Sequence, residues 1–171
     1  MLFRSETILR LVRWFIDPKI GAVAGNATEG GSAVTLNALA NASDKDDGAT
    51  LSVVDVPVTL PAGVSYDSAT HSFTLDPSVA AYQHLAAGDT TTVTVSYGVS
   101  DGTATTGASV SWTVTGTNDA PVVSGAVTGE ATEDGASSTL NALANASDVD
   151  TATLTVVNVP VNLPAGVTYD V

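Results

Sequence analysis

The side chains here that could do chemistry are carboxylates, and they come in recurring groups. Asp44, Asp46 and Asp47 crowd around Lys45, and Asp148 and Asp150 repeat the Asp-x-Asp spacing at an offset of 148 − 44 = 104 residues. Glu29 precedes the first pair and Glu133 the second, at the same offset of 133 − 29 = 104. Asp76, Asp101, Asn118 and Asp119 add oxygen donors in stretches rich in Gly, Pro and Thr. Calcium takes roughly six to eight oxygens, several of them carboxylates, from loops able to wrap it. An Asp-x-Asp pair on a loop can offer two carboxylates to one ion. The candidate metal set is therefore Glu29, Asp44, Asp46, Asp76, Asp101, Asn118, Asp119, Asp148 and Asp150, with calcium as the cofactor. Asp, Asn and Gly also fill β-turns for backbone reasons alone. Recurrence of the pairs and of the preceding acid at matching places argues for the ion. No spacing matches an EF-hand loop, so the signal is a cluster and not a fingerprint.

Other chemistry finds little support. With no cysteine, disulfides and thiolate metal sites are impossible. His71 and His84 are the only histidines and lack metal-ligand spacing. No Gly-x-Ser-x-Gly or phosphate-binding loop occurs. Two carboxylates could serve a glycosidase, but these acids gather in loops, and the aromatic residues fall mostly at strand or helix positions that core packing explains. The expectation is a protein without a catalytic site.

Charge narrows the partners. Lys and Arg total 5 against 18 Asp and Glu, a formal charge of −13. From residue 20 onward a single base, Lys45, faces sixteen acids, or −15. Such a surface repels nucleic acid and anionic lipid and attracts cations. Solubility alone would also account for it. Residues 1–19 stand apart: Ile8, Leu11, Val12 and Phe15 share one face of a short helix that Asp17-Pro18 would end. The stretch is too short and charged to span a bilayer and lacks the features of a cleavable signal. An interfacial anchor or a docking helix is one reading of it; the favoured one is a start artefact fused to a fragment of a longer gene.

The elements that must position the acids follow from a duplication. Residues 35–44, Thr-Leu-Asn-Ala-Leu-Ala-Asn-Ala-Ser-Asp, return unchanged as 139–148, and Leu-Pro-Ala-Gly-Val at 60–64 returns as 163–167. A period near 104 residues means whole domains in series, since solenoid units run to about 20–50 residues. The reading is a non-repeat segment over 1–19, a complete unit over 20–118, and a linker with the first half of a second unit over 119–171. The second copy lacks counterparts of 68–118 and is expected to be weakly stable by itself.

Within the unit, residues 91–99 and 109–114 alternate strictly between apolar and polar, which means strands with one face buried. Asp101-Gly102 between them signals a hairpin. Shorter strands are expected over 33–39, 51–56, 64–66 and 72–75, and one helical turn over 77–85 with Asp76 as its N-cap. The fold class is all-β, an antiparallel β-sandwich in tandem repeat whose second repeat is truncated.

At this point a family resemblance emerges. Gly116-Thr117-Asn118-Asp119-Ala120-Pro121-Val122 resembles the linker between VCBS-type repeats of very large bacterial surface adhesins. Residues 82–90 and 95–102 resemble the same family, and Leu39 to Asp46 is similar to the loop of bacterial cadherin-like and Ig-like repeats. The resemblance implies a cadherin-like or Ig-like sandwich, export to the bacterial surface or medium, and work as a non-enzymatic spacer or adhesive module. Implied partners are neighbouring repeats of the same chain and a cell-surface or matrix glycan or protein, without nucleic acid or membrane insertion. By analogy, Glu29, Asp76, Asn118, Asp119, Asp148 and Asp150 would meet at the junction, and Asp44, Asp46 and Asp101 would form a half-site at the other end. Ala42 and Ala146 depart from the pattern, standing where that loop often has another Asp. Fewer carboxylates push the affinity toward the weak range of extracellular modules, about 10⁻⁴–10⁻³ M, or remove the site. The alternative from another class is a carbohydrate-binding or accessory module of a large secreted enzyme.

Overall fold

A computed structural model describes residues 19–45 and 48–170. The helix expected over residues 8–15, and Asp46, lie outside the described residues. Two sheets face one another. The larger has the order β2 (Val23–Thr28), β9 (Thr105–Thr115), β8 (Thr90–Ser100), β5 (Ser52–Val54). The smaller has β3 (Val34–Asn37), β7 (Ser72–Leu75), β6 (Val64–Asp67). Two short pairs flank them: β1 (Lys19–Ile20) with β4 (Ala42–Ser43), and β10 (Val122–Val123) with β11 (Ala146–Ser147).

The alternating stretches form the spine. β8 and β9 pair antiparallel over eleven residues each, from Thr90↔Thr115 to Ser100↔Thr105. Val93, Val95, Tyr97 and Val99 on β8, with Val110, Trp112 and Val114 on β9, turn inward and are buried. Phe73 of β7 meets them from the opposite sheet, its ring centroid 5.3 Å from that of Tyr97. The Trp112 indole N–H donates to the Val34 carbonyl at 3.2 Å, tying the sheets together at the centre. The Tyr97 hydroxyl donates to the buried Ala38 carbonyl at 2.7 Å. Burial, aided by the neighbouring Tyr66 phenol, pushes its pKa up and keeps it a donor.

Two expectations need correction. The sandwich is not wholly antiparallel, because β2 runs parallel to β9, from Val23↔Val110 to Thr28↔Thr115. β8 already fills one edge of β9; the first strand covers the other edge and then crosses to β3 in the facing sheet, so no hairpin geometry constrains its direction. No helix forms among the described residues, and residues 77–85 make successive tight turns, Val79 carbonyl to Tyr82 N–H and Tyr82 carbonyl to Leu85 N–H, each 3.1 Å. Nine residues are too few to hold a helix in water, and these turns suffice to bury Tyr82 and Leu85.

Residues 120–170 reproduce turns and one short bridge pair of the first copy, but not its longer strands. Val122↔Ser147 and Val123↔Ala146 repeat the register Lys19↔Ser43 and Ile20↔Ala42. Ala42 N–H to Leu39 carbonyl and Ala146 N–H to Leu143 carbonyl are both 3.0 Å. Asp55 and Asn158, at matching positions, both adopt positive φ, 55° and 56°. Burial differs as well: Leu140, Val157, Val167 and Tyr169 are exposed, whereas Leu36, Val64 and Tyr66 pack against the core.

Replacing Tyr97 with Phe strands the buried Ala38 carbonyl. The expected loss is about 1–3 kcal/mol, the desolvation penalty of an unmade hydrogen bond. Urea unfolding followed by circular dichroism measures it, and an unchanged midpoint would count against the tie.

Candidate functional site

The end of the spine marked by Thr115 carries the site. Parallel pairing brings the end of β2 beside the end of β9, where the Glu29 N–H donates to the Thr115 carbonyl at 2.9 Å. Val23, Ala27 and Glu29 fall at every second position or a multiple of it, and all three are buried. Glu29 therefore occupies an inward phase of the strand pattern, with only 4% of its surface exposed. Its Oε2 accepts the Thr117 N–H at 3.0 Å, while its Oε1 is buried without a hydrogen-bond partner.

The linker is delivered by Gly116. Its N–H donates to the Asp89 carbonyl at 2.8 Å and its carbonyl accepts the Gly88 N–H at 3.2 Å. A Cβ at this position would collide with the carbonyls of Leu85 and Ala86, so glycine is required. Three residues on, the Asp119 N–H donates to Asp150 Oδ2 at 2.6 Å. Asp150 Oδ1 is also buried and unpartnered. Asp148 fixes Asp150 from behind, its Oδ1 accepting the N–H groups of Asp150 at 2.8 Å and Thr151 at 3.0 Å.

The result is one group of three carboxylates, Glu29, Asp119 and Asp150, with one oxygen from each lying within 4.8 Å of the others. Two oxygens bound to the same calcium at about 2.4 Å can be no more than about 4.8 Å apart, so this spacing suits a shared hard cation. Without one, the group is costly: two unit charges about 5 Å apart repel by roughly 3 kcal/mol at an effective dielectric constant near 20. Burial of an unpaired carboxylate adds to that. The two orphaned oxygens, on Glu29 and Asp150, are the observation that fits these residues to a metal. An anionic ligand would leave them uncompensated.

The other expected ligands sit elsewhere. Asp76 lies on a neighbouring segment, since the Gly30 N–H donates to the Pro77 carbonyl at 3.3 Å. Its carboxylate is used locally, Oδ1 accepting the Ser78 N–H at 2.9 Å and the Ser78 hydroxyl at 2.6 Å. Asp148 acts through Asp150, as described. Asn118 is exposed, its amide donating to the Asp119 carbonyl at 2.5 Å. Asp101 lies at the opposite end of the β8–β9 hairpin, about 33 Å away at roughly 3.3 Å per residue, and its Oδ1 accepts the Thr103 and Ala104 N–H groups. Asp44 follows β4 toward that same end. The residues not singled out in advance as ligand-positioning are Gly116 and Thr117, whose contributions are backbone contacts. A glycine directly after a long alternating strand and before an acid-bearing linker is the signal they leave.

No known protein family and no curated protein matches this chain. A solved structure that it resembles is a SusE-like surface-located polysaccharide-binding protein from the Bacteroides thetaiotaomicron heparin utilisation locus. Identity is 15% and the TM-score 0.34, over 58% of this chain and 15% of that one. At that distance the likeness carries no argument about function. No helix among the described residues is long and apolar enough to cross a membrane.

The Ser78 bonds hold the Asp76 carboxyl below its usual pKa. A depressed pKa adds stability above the unfolded value, and the benefit fades as pH falls through the folded value. Asp76→Ala should therefore destabilise the chain at pH 7 and differ less from wild type once the pH falls below the ordinary aspartate range, read from urea midpoints at neutral and acid pH. A difference that persists undiminished in acid would exclude this role.

Proposed function

We propose that the chain is a non-enzymatic tandem repeat of cadherin-like or Ig-like type from a large secreted or surface-attached bacterial adhesin, its junction stiffened by calcium. The observation that carries this reading is the carboxylate group itself. Glu29 comes from the first copy, Asp119 from the linker and Asp150 from the second copy, so an ion bound there bridges all three. The duplication supports a serial arrangement, and the recurring turns and bridge pairs support two copies of one design.

The chemistry asked of the ion is charge compensation. Calcium would be held by Glu29, Asp119 and Asp150, with backbone carbonyls and water completing its shell. Magnesium fits less well because it demands a tighter, near-octahedral shell and gives up water reluctantly. Stiffness follows because the linker cannot swing without parting carboxylates that share a cation.

At calcium tenfold above its dissociation constant, a single site adds about 1.4 kcal/mol of stability. That should raise Tm by about 5–10 °C for a unit of this size, with a smaller rise in magnesium. Glu29→Gln should abolish the calcium response and be at least as stable as wild type in chelator, because it removes an uncompensated buried charge. Differential scanning calorimetry in calcium, magnesium and chelator makes the comparison. A wild type indifferent to calcium, or a Glu29→Gln variant that still responds, would sink the reading.

A further inference from the structure

The linker carries a reactive pair that the metal reading leaves unused, Asn118 followed by Asp119. An asparagine loses its side-chain amide when the backbone nitrogen of the next residue attacks its Cγ. That nitrogen must shed its proton, so the group that accepts its N–H decides whether the attack is helped. After Asn37, Asn41 and Asn145 the next N–H donates to a backbone carbonyl: Ala38 to His71 at 2.9 Å, and Ala42 to Leu39 and Ala146 to Leu143, both at 3.0 Å. A backbone carbonyl takes no proton. After Asn118, the Asp119 N–H donates instead to a carboxylate, Asp150 Oδ2, at 2.6 Å. A carboxylate can take the proton. Asp150 is held in place for this, since Asp148 Oδ1 accepts its N–H at 2.8 Å. Asn118 itself is exposed to water, and its amide donates to the Asp119 carbonyl at 2.5 Å. That bond turns the side chain forward, along the residue whose nitrogen would attack.

We propose that Asn118 is a self-modifying site, deamidated with Asp150 as the proton acceptor. The Asp119 nitrogen bonds to Asn118 Cγ and closes a succinimide ring. Its proton passes to Asp150 Oδ2 and on to the departing side-chain nitrogen, which leaves as ammonia when the Cγ–Nδ2 bond breaks. Water then opens the ring at either carbonyl and leaves aspartate or isoaspartate at position 118. The step consumes only water and needs no oxidant or cofactor. A carboxylate is a weak base for an amide N–H, so its help amounts to about tenfold, below the roughly 10²–10⁴-fold of a well-matched general base. Each event adds a negative charge next to Asp119, and the isoaspartate product also lengthens the backbone by a methylene. On the junction reading given above, both products change the carboxylate group as the protein ages. The deamidation itself does not rest on that reading.

Peptide mass spectrometry of the full chain, aged at neutral pH in chelator so that no ion competes for Asp150, reads the conversion at each asparagine. Asn118 should convert about tenfold faster than Asn37, Asn41 or Asn145, and should slow by a similar factor when the chain is aged unfolded in guanidinium chloride. Asp150→Asn keeps a hydrogen-bond acceptor but removes the proton acceptor, and should slow Asn118 alone by about tenfold. Hydroxylamine, which attacks a succinimide, should split the ageing wild type between residues 118 and 119. Asn118 converting no faster than the other three, or no faster folded than unfolded, overturns the proposal. So does a folded Asp150→Asn variant that converts at the wild-type rate. The comparison of folded with unfolded wild type needs no substitution, so it decides the matter even where Asp150→Asn disturbs the fold. Because calcium is absent throughout, none of these outcomes depends on the metal reading.

Discussion

The direction of one strand decides where the charge goes. Because β2 runs parallel to β9, its last residues emerge at the same end of the sandwich as the last residues of β9. Glu29 and Thr117 then meet without any long excursion of the chain. An antiparallel β2 would carry Glu29 to the Asp101 end, about 33 Å from the linker at roughly 3.3 Å per residue. The carboxylate group would lose its most buried member. Parallel ladders are slightly weaker per residue than antiparallel ones, so this edge is stabilised mainly by what it buries. Val23 and Ala27 supply that burial, against a β9 whose other edge is locked into an eleven-residue hairpin.

From that alignment the linker acquires successive tethers. Gly116 is pinned by backbone bonds to Gly88 and Asp89, Thr117 by Glu29, and Asp119 by Asp150. None of these contacts is apolar. A joint built from hydrophobic surface would close in any solvent condition, since burial of apolar area needs no counterion. Here Glu29 and Asp150 each spend one oxygen on a linker N–H and leave the other buried and unmatched. Hydrogen bonding fixes the geometry of a carboxylate group that could hold a metal ion.

Much of the fold was legible because its signals were local. Period-two alternation located β8 and β9 to within a few residues, Asp101-Gly102 located their turn, and 72–75 matched β7. β2 was not legible: Gly25 and Asn26 dilute its strand propensity, and its partner lies about eighty-seven positions away, 110 − 23. The two-residue bridges β1, β4, β10 and β11 are set by packing around Asn41 and Asn145, with nothing in composition to mark them. The segment after Asp76 looked helical because Pro77 and Asp76 make a good start. That start is present, but burial of Tyr82 and Leu85 is met by separate turns.

The acids show the same division between local and distant causes. Asp76, Asp101 and Asp148 stand close to backbone N–H groups two or three residues ahead and take them as partners, the ordinary behaviour of aspartate in turns. Glu29 has no such option: a glutamate at the end of a buried strand phase points into the interior, and its partner must come from far along the chain. The distinguishing feature of a ligand candidate in this molecule is therefore failure of local satisfaction, which acid count and spacing alone do not reveal. Glu133 shares the residue type and offset of Glu29 but lies exposed. Its neighbours Val127 and Ala131 have no β9 to pair with among the described residues. The carboxylate becomes a candidate ligand only when a second sheet edge turns it inward, and chemistry at this end of the unit is a consequence of completing the sandwich.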